Sequence, residues 1–101
     1  MPDINQVFLL GRVAEAPQFI RGSRAPEMLV RVETVETYLD RYGEHVHDRV
    51  VTTVHLDAHG TRDAGGVEPG CIAAVTGRLA AGGRVRCSNF IWSRPKRGAQ
   101  A

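Results

Sequence analysis

The stretch "INQVFLLGRVAEAPQFI", residues 4–20, constrains the fold more than any other part of the chain. Extended backbone sends successive side chains to opposite faces, so a strand wetted on one side alternates apolar with polar residues. Here Val7, Leu9 and Val13 hold one parity, while Ile4, Phe8 and Leu10 hold the other. The first half is therefore apolar on both faces, and Gly11 interrupts it where polarity returns at Arg12. Such a strand must be covered twice, by a core on one side and by a second surface on the other. It must also bend at its glycine.

The remainder of the chain reads as strands and turns. "RGSRAPE" is a turn cluster. In "MLVRVETVETYL", Met28, Val30 and Val32 share one parity and Arg31 and Glu33 the other, which predicts a strand with one wet face. "DRYGE" follows as a hairpin loop in which Gly43 can take a positive φ. In "HVHDRVVTTVHLD", Val46, Val50, Val54 and Leu56 are expected to point inward with Thr52. His45, His47, Arg49, Val51, Thr53 and His55 then point outward. "AHGTRDAGGVEPG" has room for one helical turn at most. "CIAAVTGRLA" and "RVRCSNFIW" form two further strands, joined across "AGG" by a tight turn at Gly82-Gly83, with Phe90 and Trp92 closing one end of the core.

Five strands with short connections in 101 residues predict an all-β, five-stranded Greek-key barrel with little or no helix. A barrel of this kind explains the opening stretch. Its first strand pairs with neighbours in both halves and curls between them at Gly11. The outward apolar residues Ile4, Phe8 and Leu10 are then expected to meet a second subunit.

Composition narrows the class. At 43% hydrophobic and 24% charged residues the chain is an ordinary globular domain. No apolar run approaches the ~20 residues that span a bilayer, and no secretory pattern opens the chain, so a cytoplasmic location is expected. Cys71 and Cys87 are then expected to be reduced thiols. The net charge is only +2, and Lys96 is the lone lysine. The cations are thus almost all guanidinium groups, which fork onto phosphates and stack on bases. "SRPKRGAQA" reads as a basic, disordered tail, giving a domain over residues 1–93 and a tail over 94–101.

The chain carries no Gly-rich phosphate loop, no nucleophile motif and no carboxylate pair in a recognisable setting, so no enzyme activity and no cofactor are expected. His45, His47, His55 and His59 invite a metal reading, but a metal needs three or four convergent ligands, and none is expected. The outward parity of the third strand offers more. His47, Arg49, Thr53 and His55 present cations, donors and flat rings on one surface, and Arg84 and Arg86 share a parity on the last strand. Such a surface suits splayed bases and phosphates, although the same residues would also serve simply to solvate an exposed face.

These residues carry a resemblance. "INQVFLLGRVAEAP" resembles the opening of the bacterial single-stranded-DNA-binding proteins, whose first strand runs from Asn through an apolar stretch and a Gly to a loop ending in Asp-Pro. The likeness continues through "ETYLD" before a Gly-Glu hairpin, "VVTTVHL" and "EPGCIAAVTGRL", covering residues 4–92 in order and spacing. The primosomal replication protein N family is a near relative at this length. The resemblance implies an OB-fold, oligomerisation, and binding of single-stranded DNA on the outer face of the sheet and its loops.

Mapped residue by residue, the resemblance puts Tyr38 where a base-stacking tryptophan sits. Val51 replaces a second tryptophan, Asp57 replaces a phenylalanine, and the long basic hairpin of the family has shrunk to "AAGGR". The acidic partner-recruiting tail is replaced by "RPKRGAQA". A specialised member is implied, auxiliary in replication, restart, recombination or repair. The expected DNA-binding set is Tyr38, Arg41, His47, Arg49, Thr53, His55, Arg84 and Arg86, and the expected assembly is a homodimer or homotetramer. RNA would engage the same stacking and phosphate contacts. The alternative reading is an OB-fold scaffold that acts mainly through contacts with replication or restart proteins.

Overall fold

The computed structural model describes residues 3–22 and 24–95. The strand elements are β1 (Val7–Val13), β2 (Gln18–Ile20), β3 (Glu27–Leu39), β4 (His45–Leu56), β5 (Ile72–Leu79) and β6 (Val85–Ser93), with one helix, α1 (Ala58–Asp63), between β4 and β5. Strand order is β1-β5-β6-β4-β3-β2, and an additional β1–β3 pairing closes the sheet on itself. The result is an all-β barrel. Six strands appear where five were expected, because the opening stretch breaks after Val13 and resumes as the three-residue β2 against β3. The helix runs six residues, a little longer than the expected single turn, and is started by Asp57, whose Oδ1 accepts from Gly60 N at 2.9 Å.

Gly11 performs the bend that the opening stretch requires. Val7 to Arg12 pair with β5, while Arg12 and Val13 pair with β3, so the strand passes from one half of the barrel to the other at this point. A Cβ on Gly11 would run into the Glu33 carbonyl oxygen, which restricts the position to glycine.

The core is a cluster of branched side chains from all the long strands. Val13, Val30, Val32, Val54, Leu56, Val75 and Val85 are fully buried, with Met28, Ala73 and Phe90 beside them. Ala64 and Val67, in and after the α1 turn, cover one end. Trp92 packs there as well and donates its indole N–H to the Asp63 carbonyl at 2.8 Å. Phe90 and Trp92 thus close the barrel end as expected.

β3 and β4 outrun the barrel. Their ladder extends from Met28↔Leu56 to Leu39↔His45, yet burial alternates on β3 only as far as Val32. Beyond that the two strands project as a hairpin. Val50 was expected in the core; it has the inward parity but is 51% exposed, because no core lies beneath that stretch. The basic tail expected over residues 94–101 falls, from Lys96 onward, outside the described residues. Arg94 itself is anchored, its guanidinium 5.5 Å from the Trp92 ring centroid and 3.4 Å from Glu68 Oε1.

Candidate nucleic-acid interface

The tip of the projecting hairpin is organised by one carboxylate. Asp40 Oδ1 accepts from the backbone N–H of Tyr42 at 2.8 Å and of Glu44 at 2.9 Å, and Gly43 takes φ +78°. This Asx-type turn sets Tyr42 outward at 78% exposure, with the Arg41 guanidinium 5.4 Å from its ring centroid. Tyr38, four residues earlier, is 46% exposed. Tyr38, Arg41 and Tyr42 therefore form an aromatic and cationic end to the hairpin. Tyr42 was absent from the expected set; its signal was the aromatic inside "DRYGE", which reads as a bare turn when only glycine is weighed.

The register divides the expected residues between two faces. Tyr38 lies opposite Val46, on the parity of Met28, Val30 and Val32. His47, Arg49, Thr53 and His55 lie opposite Thr37, Val35, Arg31 and Leu29, on the other parity. They run along β4 for about 26 Å at the usual strand rise. Arg86 flanks His55 through the parallel β4–β6 pairing, and Arg84 stands in the turn just before β6. Tyr38 and Arg41 thus sit at the tip, His47 and Arg49 lie on the other face of the projecting hairpin, and Thr53, His55, Arg84 and Arg86 share the barrel's outer side and its adjoining turn.

The outer side of β3 and β4 is electrostatically compensated. Arg49 Nε lies 3.7 Å from Glu33 Oε1, and Arg31 Nη1 lies 3.1 Å from Glu15 Oε2. His55 Nε2 is 2.8 Å from Glu27 Oε1 in a partly buried pair, and His47 Nδ1 shares a 3.0 Å hydrogen bond with Thr37 Oγ1. Cys87 lies near His55 but remains a thiol. Burial pushes its pKa up to about 11, the nearby Asp57 and Asp63 add to the rise, and the backbone hydrogen bond at Asn89 opposes it. Both cysteines are free. Among the described residues no three His, Cys, Asp or Glu side chains are grouped so as to hold a metal ion.

The outward apolar residues of the first strand stand clear. Phe8 and Leu10 are exposed on β1. Ile4 is exposed too but lies in the segment before β1, where it lines a groove with Arg78 and Arg86 and does not continue the strand as its parity predicts. Leu10 faces Ala74, which in turn faces Ile91, and Arg12 faces Ile72. Ile72 and Ile91, both exposed, thereby widen the strip across β5 and β6. Sequence reading missed these two, since each sits in a strand whose overall apolar content masks which side is covered.

No family model and no curated protein matches the sequence. Solved structures do match. The small single-stranded DNA-binding protein from Streptomyces coelicolor is 20% identical, with a TM-score of 0.71 over 92% of this chain and 96% of that one. The Plasmodium falciparum SSB in complex with ssDNA is 16% identical, with a TM-score of 0.77 over 92% and 97%. The dimeric N-terminal domain of PriB from Thermoanaerobacter tencongensis is 17% identical, with a TM-score of 0.59 over 91% and 98%.

The fold is an OB-fold.

This matches the fold that the resemblance implied, and it puts the expected residues in a coherent frame. The OB-fold barrel supplies a rigid base, β3 and β4 project from it, and the short β5–β6 turn lies beside β4. That turn is a five-residue loop, Ala80 to Arg84, closed by Ala80 N donating to Arg84 O at 2.7 Å. Its centre is Gly82, one half-step from the expected Gly82-Gly83 centre. The half-step changes which residues face each other: Arg78 lies opposite Arg86, where a turn centred between the two glycines would set it opposite Cys87.

Proposed function

We propose that this protein binds single-stranded DNA along the outer sheet and projecting hairpin of its OB-fold, in an auxiliary role in replication, restart, recombination or repair. The observation that carries this reading is the hairpin tip, where two exposed tyrosines and Arg41 stand together on a fold that single-stranded-DNA-binding proteins share over nearly the whole chain. Each stacked base is worth about 1–3 kcal/mol, so two rings offset part of what the missing tryptophans would have contributed. The residues assigned to the strand are Tyr38, Arg41, His47, Arg49, Thr53, His55, Arg84 and Arg86, with Tyr42 added. This is a binding function without a catalytic step, consistent with a cytoplasmic setting.

Assembly is part of the same reading. Phe8 and Leu10, extended by Ile72 and Ile91, form an apolar strip on one barrel face, with the exposed Ile4 in the segment before β1 assigned to the same interface. Self-complementary strips pair most simply about a two-fold axis. The PriB domain of similar fold is itself described as dimeric. Residues 1–93 are the binding domain in this reading and residues 94–101 a basic extension.

Titration with oligo-dT, oligo-rA and duplex DNA at two salt concentrations tests the proposal. Tighter binding of oligo-dT than of duplex, weakening as salt rises, is expected. Equal affinity for duplex and single strand, or insensitivity to salt, overturns it. Contact with replication or restart proteins alone would then lead.

A further inference from the structure

We infer that Arg78 and Arg86 form a phosphate-binding pair on the β5–β6 ribbon, a contact for the single strand's phosphodiester backbone separate from the aromatic hairpin tip. The inference rests on the single-strand reading above and adds a site to it. Three observations point to it. The first is register. Arg78 and Arg86 are directly opposed on antiparallel strands, and both are exposed. Like charges so placed repel one another.

The second observation is what surrounds them. Arg31, Arg49, Arg94 and His55 each face a carboxylate within 4.0 Å, whereas no carboxylate among the described residues pairs with Arg78, Arg84 or Arg86. The cations of β5 and β6 are therefore held in no ion pair among the described residues, with Glu27 and Asp57 lining a smaller pocket beside Arg86, whereas Arg31, Arg49 and His55 on β3 and β4 are each paired. A phosphate bridging two guanidinium forks would relieve the repulsion and satisfy both groups at once.

The third observation is shape. The β5–β6 ladder is irregular between Thr76 and Gly77, and a Cβ on Gly77 would run into the Arg86 carbonyl oxygen. Such a bulge sharpens the local twist of the ribbon. Beside it lies an open groove of about 390 Å³, lined by Arg78, Arg86, Thr76, Ser88 and the N-terminal segment. Asn5 fixes that segment, its Nδ2 donating to Leu79 O and its Oδ1 accepting from Leu79 N, both at 2.8 Å. Asp3 shares the groove but forms no ion pair with either arginine.

The test measures oligo-dT affinity across a salt series for the wild type, for the double variant Arg78→Ala/Arg86→Ala and for Asp3→Asn. The double variant is expected to bind at least tenfold more weakly at low salt. Its log K against log salt slope should be shallower by about 0.7, the value for one bridged phosphate on a single strand. Its melting temperature should hold or rise, since a like-charge pair is removed. Asp3→Asn is expected to tighten binding severalfold, and it keeps the idea falsifiable should the double variant fold poorly. Excess thymidine monophosphate should compete only weakly; full displacement by it would make this a mononucleotide site and overturn the backbone assignment. Wild-type affinity and slope in the double variant, or no gain from Asp3→Asn, would overturn the pair while leaving single-strand binding intact. A wild-type protein that ignores oligo-dT would instead overturn the underlying reading.

Discussion

Tyr38 and Arg49 belong to the same hairpin but lie on opposite faces of it. Tyr38 is set against Val46, whereas Arg49 is set against Val35, and the odd spacing between the β3 partners puts the two side chains on different sides of the ladder. A single strand that touches both must pass over the edge or the tip of the hairpin. The tip carries Arg41 and Tyr42.

The two tyrosines should accordingly act as independent stacking platforms. Tyr38→Ala and Tyr42→Ala are each expected to cost about 1–3 kcal/mol of oligo-dT affinity. Neither should lower the melting temperature appreciably, because neither ring is in the core. Fluorescence titration and thermal melting on the same samples check both halves. A fall in melting temperature with unchanged affinity would mark the rings as structural.

Gly11 should tolerate nothing larger than hydrogen. Gly11→Ala forces a methyl group against the Glu33 carbonyl where β1 passes from β5 to β3. Overpacking of this sort costs about 1–3 kcal/mol. Urea unfolding should show a lower midpoint with an unchanged slope, since the loss is in stability and not in the surface exposed.

Self-association should depend on the outward residues of the first strand. Phe8→Glu or Leu10→Glu puts a charge into the apolar strip without touching the buried parity of Val7, Leu9 and Val13. Each variant is expected to sediment as a monomer at micromolar concentration, where the wild type sediments as a dimer or larger species. A wild-type monomer would remove the strip from the account.

Cys87 sets an alkaline limit on stability. Its folded pKa is pushed up to about 11 from 9.0, chiefly by burial. The folded state therefore holds the proton more tightly than the unfolded chain does. That contribution is fully present below pH 9 and is lost as pH rises to about 11. Stability measured against pH should fall over this interval, and Cys87→Ala should flatten the fall. Alkylation of the Cys87 thiol at pH 8 should likewise be slow compared with a free cysteine.

The sequence by itself determined the class, the core and the bend. Alternation along residues 28–32 marks Met28, Val30 and Val32 as buried, and the apolar run ending at Gly11 marks a strand that must serve two halves of a closed sheet. These are local properties: side-chain parity follows from extended backbone, and a glycine between an apolar and a polar stretch marks a close approach. The outward position of Phe8 and Leu10 follows from the same parity.

Tertiary structure decided what parity leaves open. Parity assigns a face but cannot say whether a core lies under it, so Val50 has an inward face and nothing beneath it once β3 and β4 outrun the barrel. Parity within one strand is also silent on partners, so neither the carboxylates beside Arg49 and His55 nor the opposition of Arg78 and Arg86 can be read along the chain. That opposition hangs on a loop centred on Gly82 and not between Gly82 and Gly83. A half-residue shift in a turn changes which side chains meet across a ladder, and only the closed sheet fixes it.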